Sequence, residues 1–122
     1  MIFIKGNFPS FKNSKQRTRK GFMVMSKTVQ KYLKANEEQW KEVPEMFKER
    51  RDYPLEIGLF FIRGTKHRFD IHNMIQGVAD LMVKHSWIPD DNADYFIPVC
   101  MKIGDKYYDY DKENSGVWID IL

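Results

Sequence analysis

The sequence predicts an α+β domain in which a mixed β-sheet carries two main helices packed against it. Three observations lead there. Leu55 to Arg63 is apolar at 55, 57, 59 and 61 and again at 60 and 62, as a central strand covered on both faces would be. In the stretch 70 to 86, Ile71, Met74, Ile75, Val78, Leu81, Met82 and His85 fall on one arc about 120° wide at 100° per residue, which predicts an amphipathic helix facing a core. Short segments on either side complete the order β, β, α, β, α, β, β, β, and this mixture implies a mixed sheet. With 122 residues, 43% hydrophobic, the chain is long enough to bury one ordinary core as a single domain.

Taken in order, Met1 to Lys5 reads as a short strand with Ile2 and Ile4 on one side. Asn7 to Lys20 reads as a loop, since Pro9, Ser10, Asn13, Ser14, Gln16 and Thr18 are turn formers and little in it is apolar. Phe22 to Met25 is a second short strand. Ser26 or Thr28 opens a helix through Val29, Tyr32 and Leu33 toward Trp40, with Lys27, Lys31 and Lys34 along its solvent face. Pro44 interrupts that helix, and Glu45 to Arg51 is one more helical turn. After the central strand, the basic segment Arg63-Gly64-Thr65-Lys66-His67-Arg68 delivers the chain to Asp70, which can cap the second main helix. Ser86-Trp87-Ile88-Pro89 ends that helix, because Pro89 disfavours helical geometry at Ile88. Tyr95 to Ile103 is a further strand, Gly104-Asp105 a tight turn, Lys106 to Tyr110 the returning arm of a hairpin, and Gly116 to Leu122 closes the sheet.

Charge is distributed unevenly behind the net +3. Residues 1 to 36 carry nine basic side chains and no acidic one, so the other 86 residues total −6. Lys12, Asn13, Lys15, Arg17, Arg19 and Lys20, together with Arg63, Lys66 and Arg68, suit the phosphate oxygens of a polyanion. Acidic groups gather elsewhere, with Asp70 at one end of the helix and Asp90, Asp91, Asn92 and Asp94 in a turn beyond the other. If that turn folds back toward Asp70, carboxylates converge, and they repel unless a hard divalent cation sits between them. A positive surface for a polyanion and a negative pocket for a metal are what a nuclease needs. The single cysteine, Cys100, excludes an internal disulfide and fits a reducing cytoplasm. Met1 to Gly6 is too short to be a signal peptide, and no apolar run approaches the roughly 18 residues of a spanning helix, so no membrane contact is expected.

With Asp70-x-x-Asn73 after the basic Arg63 to Arg68 segment, Asp80 on the helix and the Asp90-Asp91 pair behind an aromatic-containing turn, the sequence resembles the RusA family of Holliday junction resolvases, common in bacteriophages and prophages. Pro9-Ser10-Phe11-Lys12-Asn13-Ser14-Lys15 is similar to a Pro/Ser/Asn-rich segment of that family. The resemblance covers most of the chain. It implies a RusA-like fold and a homodimer in the cytoplasm of a bacterial or phage-infected host. The implied activity is that of a magnesium- or manganese-dependent endodeoxyribonuclease that cuts four-way DNA junctions by paired nicks, with no organic cofactor. Asp70 and Asp91, with Asp90 beside them and His72 as a further candidate, would hold the metal, and Asn73, Gln76 and Asp80 would support them. Two positions depart from the family pattern: His72 stands where a second aspartate is usual, and Gln76 where a lysine is usual. Imidazole ligates manganese but suits magnesium poorly. These departures motivate one rival, a junction-binding or DNA-binding protein with a decayed metal site; a second, a nuclease for other branched nucleic acid, follows because carboxylate–metal chemistry does not identify the sugar.

Overall fold

A computed structural model of the chain describes residues 1–11, 15–17, 23–49 and 52–122, with backbone alone at 15–17 and 23–25. The long apolar run folds as strand β4, Leu55–Arg63, at the centre of the sheet. On one side β4 pairs antiparallel with β7, Gly116–Ile121, which pairs antiparallel with β1, Ile2–Lys5. On the other side β4 pairs parallel with β5, Phe96–Cys100, over Leu55 to Leu59, and parallel with β6, Tyr108–Tyr110, over Phe61 to Arg63. The sheet is mixed, as the sequence implies.

Register explains which residues enter the core. Ile4, Val117 and Phe61 form one cross-strand row and Ile2, Ile119 and Leu59 the next, all on the face that carries the helices. The opposite face has its own row, Phe3, Trp118 and Phe60, with the Phe3 and Trp118 rings 4.8 Å apart. Helix α1, Lys27–Asn36, opens at Ser26, whose Oγ accepts from the Val29 amide at 3.3 Å. A turn at Glu37 separates α1 from one-turn helix α2, Glu38–Lys41, and Pro44 precedes a second one-turn helix, α3, Glu45–Lys48. The 14-residue α4, Ile71–Lys84, lays Met74, Val78, Leu81 and Met82 on the sheet. The two main helices expected from the sequence are α1 and α4.

Aromatic side chains weld these layers. Trp40 is fully buried and donates through Nε1 to the Tyr32 hydroxyl at 3.1 Å, while Trp87 donates to the Trp40 carbonyl at 2.8 Å. Burial pushes the Tyr32 phenol far above its ordinary pKa, against the smaller lowering effect of the Trp40 bond. Phe8 and Phe11, at the start of the segment expected to be an unburied loop, plug the gap between α1 and α4. A Cβ at Gly77 would overlap the Phe11 ring, so glycine there lets the N-terminal segment lie directly on α4. At the sheet edge, Gln39 accepts from the Lys5 amide and donates to the Lys5 carbonyl, both at 2.8 Å.

Four element expectations need correction. Lys15–Arg17 pairs antiparallel with β3, Met23–Met25, as strand β2, within the stretch read as a loop, because ladder hydrogen bonds are available to any backbone whatever its side chains. Helix α4 ends at Lys84, just before the Ser86 to Pro89 segment expected to end it, but Ser86 and not Pro89 makes the stop. Ser86, at φ +64°, turns the chain left-handed, its amide donates to Val83 O at 3.1 Å, and the Trp87 amide donates to Met82 O at 2.8 Å. That is a Schellman stop, made without glycine. Strand β5 ends at Cys100 instead of Ile103, and Cys100 is exposed. Finally, Tyr108–Tyr110 does not return along β5. Gly104-Asp105 does turn the chain, and an isolated bridge joins Ile103 to Lys106, but the strand that follows resumes the direction of β5 further along β4.

Candidate functional site

Helix α4 positions the acidic groups. Asp70 takes extended backbone geometry just before it, and its carboxylate caps nothing; instead Asn73 Nδ2 donates to Asp70 Oδ2 at 3.4 Å. Asn73, Gln76, Asp80 and Lys84 recur at helical spacing along the flank of α4 away from its buried side. Gln76 is the junction of this stripe with the loop beyond Pro89: its Nε2 donates to Asp80 Oδ1 at 2.8 Å and to Asp91 Oδ2 at 3.4 Å. The acidic turn therefore does fold back onto α4, but it meets the helix at its second turn.

Asp90 is committed to the loop itself. Its Oδ1 accepts from the Asp91 amide at 2.7 Å and its Oδ2 from Asn92 Nδ2 at 3.2 Å, while Asn92 Oδ1 accepts from the Asp94 amide at 2.9 Å. These bonds fix the backbone that presents Asp91. His72 is exposed on α4 and makes no hydrogen bond or ion pair among the described residues. Among the described residues no three His, Cys, Asp or Glu side chains stand together as a group able to hold a metal ion. The pairs the structure brings together are Asp80 with Asp91 through Gln76, and Asp70 with Asn73. Their donor chemistry, exposed carboxylate oxygens flanked by side-chain amides, is the kind that suits magnesium, which takes one or two carboxylates and keeps several waters.

The basic segment before Asp70 divides into an inner and an outer part. Lys66 lies 5.0 Å from the Tyr110 ring centroid, and His67 and Arg68 are exposed, so the outer part is available to an incoming polyanion. Arg63, expected to be a surface cation of the same kind, is buried instead, because it continues the odd-numbered row of β4 that faces the helices. Of the N-terminal positions expected to contact phosphate, Lys12, Asn13, Arg19 and Lys20 lie outside the described residues, and Lys15 and Arg17 are described only as backbone of β2.

One contact had no signal in the sequence. Glu37 Oε2 accepts from Lys84 Nζ at 2.5 Å and lies 3.0 Å from His85 Nε2, tying the α1–α2 corner to the end of α4. The Lys84 hydrogen bond, with a smaller contribution from His85, holds the Glu37 carboxyl below its ordinary pKa despite partial burial. The three residues are far apart in sequence and share no motif, so only packing reveals them. No helix among the described residues is long and apolar enough to cross a membrane. No family model matches the chain, and no curated protein matches it.

Proposed function

We propose that the chain is a metal-dependent endodeoxyribonuclease with a RusA-like fold, acting as a cytoplasmic homodimer on four-way DNA junctions. The observation that carries this reading is the Gln76 bridge, which brings the Asp90-Asp91 turn onto the helix that Asp70 begins, with Lys66 and Arg68 exposed on the approach. Carboxylates beside cations suit a substrate that is itself a polyanion. A two-fold-related pair of chains matches a junction that needs two related cuts.

Asp70 and Asp91 would hold magnesium or manganese, with Asp80 within reach through Gln76. When bound, the cation supplies the acidity that turns a water into a nucleophile and offsets charge gathering on the scissile phosphate. The chain's own groups do the positioning. Asn73 holds the Asp70 carboxylate at the start of α4, Asp90 shapes the loop behind Asp91, and Lys66 and Arg68 draw in the phosphate backbone. Gln76 is neutral where the family pattern has lysine, so it orients two carboxylates without supplying a charge.

A second reading is favoured by the same bridge. Asp91 is already engaged by Gln76 and Asp90 by its own loop, an arrangement that suits a protein binding junctions without cutting them. A synthetic four-way junction, with linear duplex and branched RNA as competitors, separates the readings when assayed with magnesium, manganese and EDTA. Paired metal-dependent nicks confined to the junction, at least about a hundredfold weaker in Asp70→Asn and Asp91→Asn, are the expected result. Tight junction binding that EDTA leaves intact, with no nick under either metal, would establish the binder instead. Preferential cleavage of another branched substrate would establish the other nuclease class.

A further inference from the structure

Arg63 is the one charged side chain that is buried among the described residues, with 9% of its surface exposed. Nη1 donates to the Phe8 carbonyl at 2.9 Å and to Met74 Sδ at 3.6 Å, and the guanidinium carbon lies 4.7 Å from the Phe69 ring centroid. Nε is enclosed and has no hydrogen-bond partner among the described residues. Among the described residues no carboxylate pairs with this cation. Burying a charge without a counter-charge is costly, and such groups are ordinarily paired. Desolvation accordingly pulls the Arg63 pKa down.

The missing counter-charge has a place to sit. Arg63 lines a cavity of about 550 Å³ between the N-terminal segment, one face of α1 and the start of the basic loop. Lys31, His67, Thr28, Thr65 and Asn36 also line it, and none of the described residues in its walls is a carboxylate. Two cations, an imidazole, hydroxyls and side-chain amides make a donor-rich cleft, and although Nη1 is engaged by Phe8 and Nε is enclosed, the Arg63 guanidinium gives that cleft an unpaired positive charge. The wall formed by Phe8, Pro9 and Ser10 runs on to Phe11, whose amide donates to Asn73 O at 3.3 Å in the first turn of α4. The cavity and the Asp70 end of α4 are therefore joined by a single short segment.

We propose that this cavity is a phosphate seat, in which Arg63 at the floor and Lys31, His67, Thr28 and Thr65 around it take one phosphodiester of a nucleic-acid strand. That strand would continue from the seat to the carboxylates of α4, so the proposal rests on the nuclease reading for the identity of its ligand. The chemistry it needs, an oxyanion against a buried guanidinium, is shared by free phosphate. Both sources are separated by testing each.

Isothermal titration calorimetry of the full chain with inorganic phosphate, at ionic strength matched with chloride, tests the seat, and binding of the same proteins to a junction tests its occupant. Wild type is expected to bind phosphate. Lys31→Ala should weaken it about threefold and Arg63→Met about tenfold or more, with junction affinity falling in the same order. Lys31 is exposed, so its variant reports even if Arg63→Met does not fold. Equal phosphate affinity in wild type and Lys31→Ala, or no phosphate binding by wild type, overturns the seat. Phosphate affinity that falls while junction affinity stays unchanged overturns the nucleic-acid strand as its ligand. Failure of the nuclease reading looks different: no junction nicking by wild type, while the seat variants still lose phosphate and junction affinity together.

Discussion

Ser86 shows how one side chain can oppose the backbone that carries it. The left-handed turn that stops α4 needs φ +64°, a region that costs a non-glycine residue about 1 kcal/mol, and two hydrogen bonds and the burial of Trp87 keep it in place. Ser86→Gly is therefore expected to stabilise the protein by about 0.5 to 1 kcal/mol in chemical denaturation, with the gain reduced by the greater freedom of glycine in the unfolded chain. A midpoint unchanged or lowered would show that the serine hydroxyl contributes more than its backbone strain removes. Arg63 carries the complementary lesson on what a sequence makes legible at this scale. Its place among Lys66, His67 and Arg68 suggests a solvated cation, yet the alternation through 55, 57, 59 and 61 extends to 63 and assigns it to the inner row. Composition suggested one environment and period the other, and period prevailed because β4 continues without a break to Arg63. The carboxylates were legible as residues; that the Gln76 amide reaches both Asp80 and Asp91 was not, since spacing along the chain does not show how a loop folds back.

Between elements, the corner of α1 and α2 is tied to α4 by a single carboxylate. Glu37 has a folded-state pKa below 4.5, so the folded protein binds that proton less tightly than the unfolded chain does. The stability it contributes is fully present above about pH 4.5 and is lost as pH falls through the lowered folded value. Glu37→Gln is expected to lower stability by about 0.5 to 1 kcal/mol at neutral pH, and the gap from wild type should close in acid. Thermal melts of both proteins from neutral pH to about pH 3 would read this, and a gap that widened in acid would contradict it. Strands were less legible than helices for a reason visible in β5 and β6. Both run parallel to β4 on the same side, so Gly104-Asp105 makes a detour within one interrupted edge instead of reversing the chain. A turn signal identifies a local change of direction; it carries nothing about which distant strand accepts the next segment. Periodicity, by contrast, located α1, α4 and β4 because each buries a face whose spacing is written locally.

Over the molecule as a whole, Lys66 and Arg68 are exposed cations on the approach to Asp70, and on the proposed nuclease reading junction binding should carry their signature. If Lys66 and Arg68 each neutralise a phosphate, replacing either by alanine lowers the log–log salt slope of junction affinity by about 0.9 without favouring one junction sequence over another. Fluorescence anisotropy across a salt series measures this, and a slope unaltered in both variants would place the contact surface elsewhere. The α+β class and its central strand could be read in advance because they need only local patterns. The order of strands around β4 could not, because β1 meets β7 through pairing across nearly the whole chain. That order leaves β1 on one margin and β5 and β6 on the other, where unpaired backbone invites another chain to add a strand. Gln39 answers this at β1, since its side-chain amide takes up both polar groups of Lys5 as a neighbouring residue's backbone would, and Pro98 lacks the amide hydrogen that an added strand beside β5 would use. An amide side chain thus counterfeits one residue of a neighbouring strand, and an incoming chain finds that place on β1 already taken.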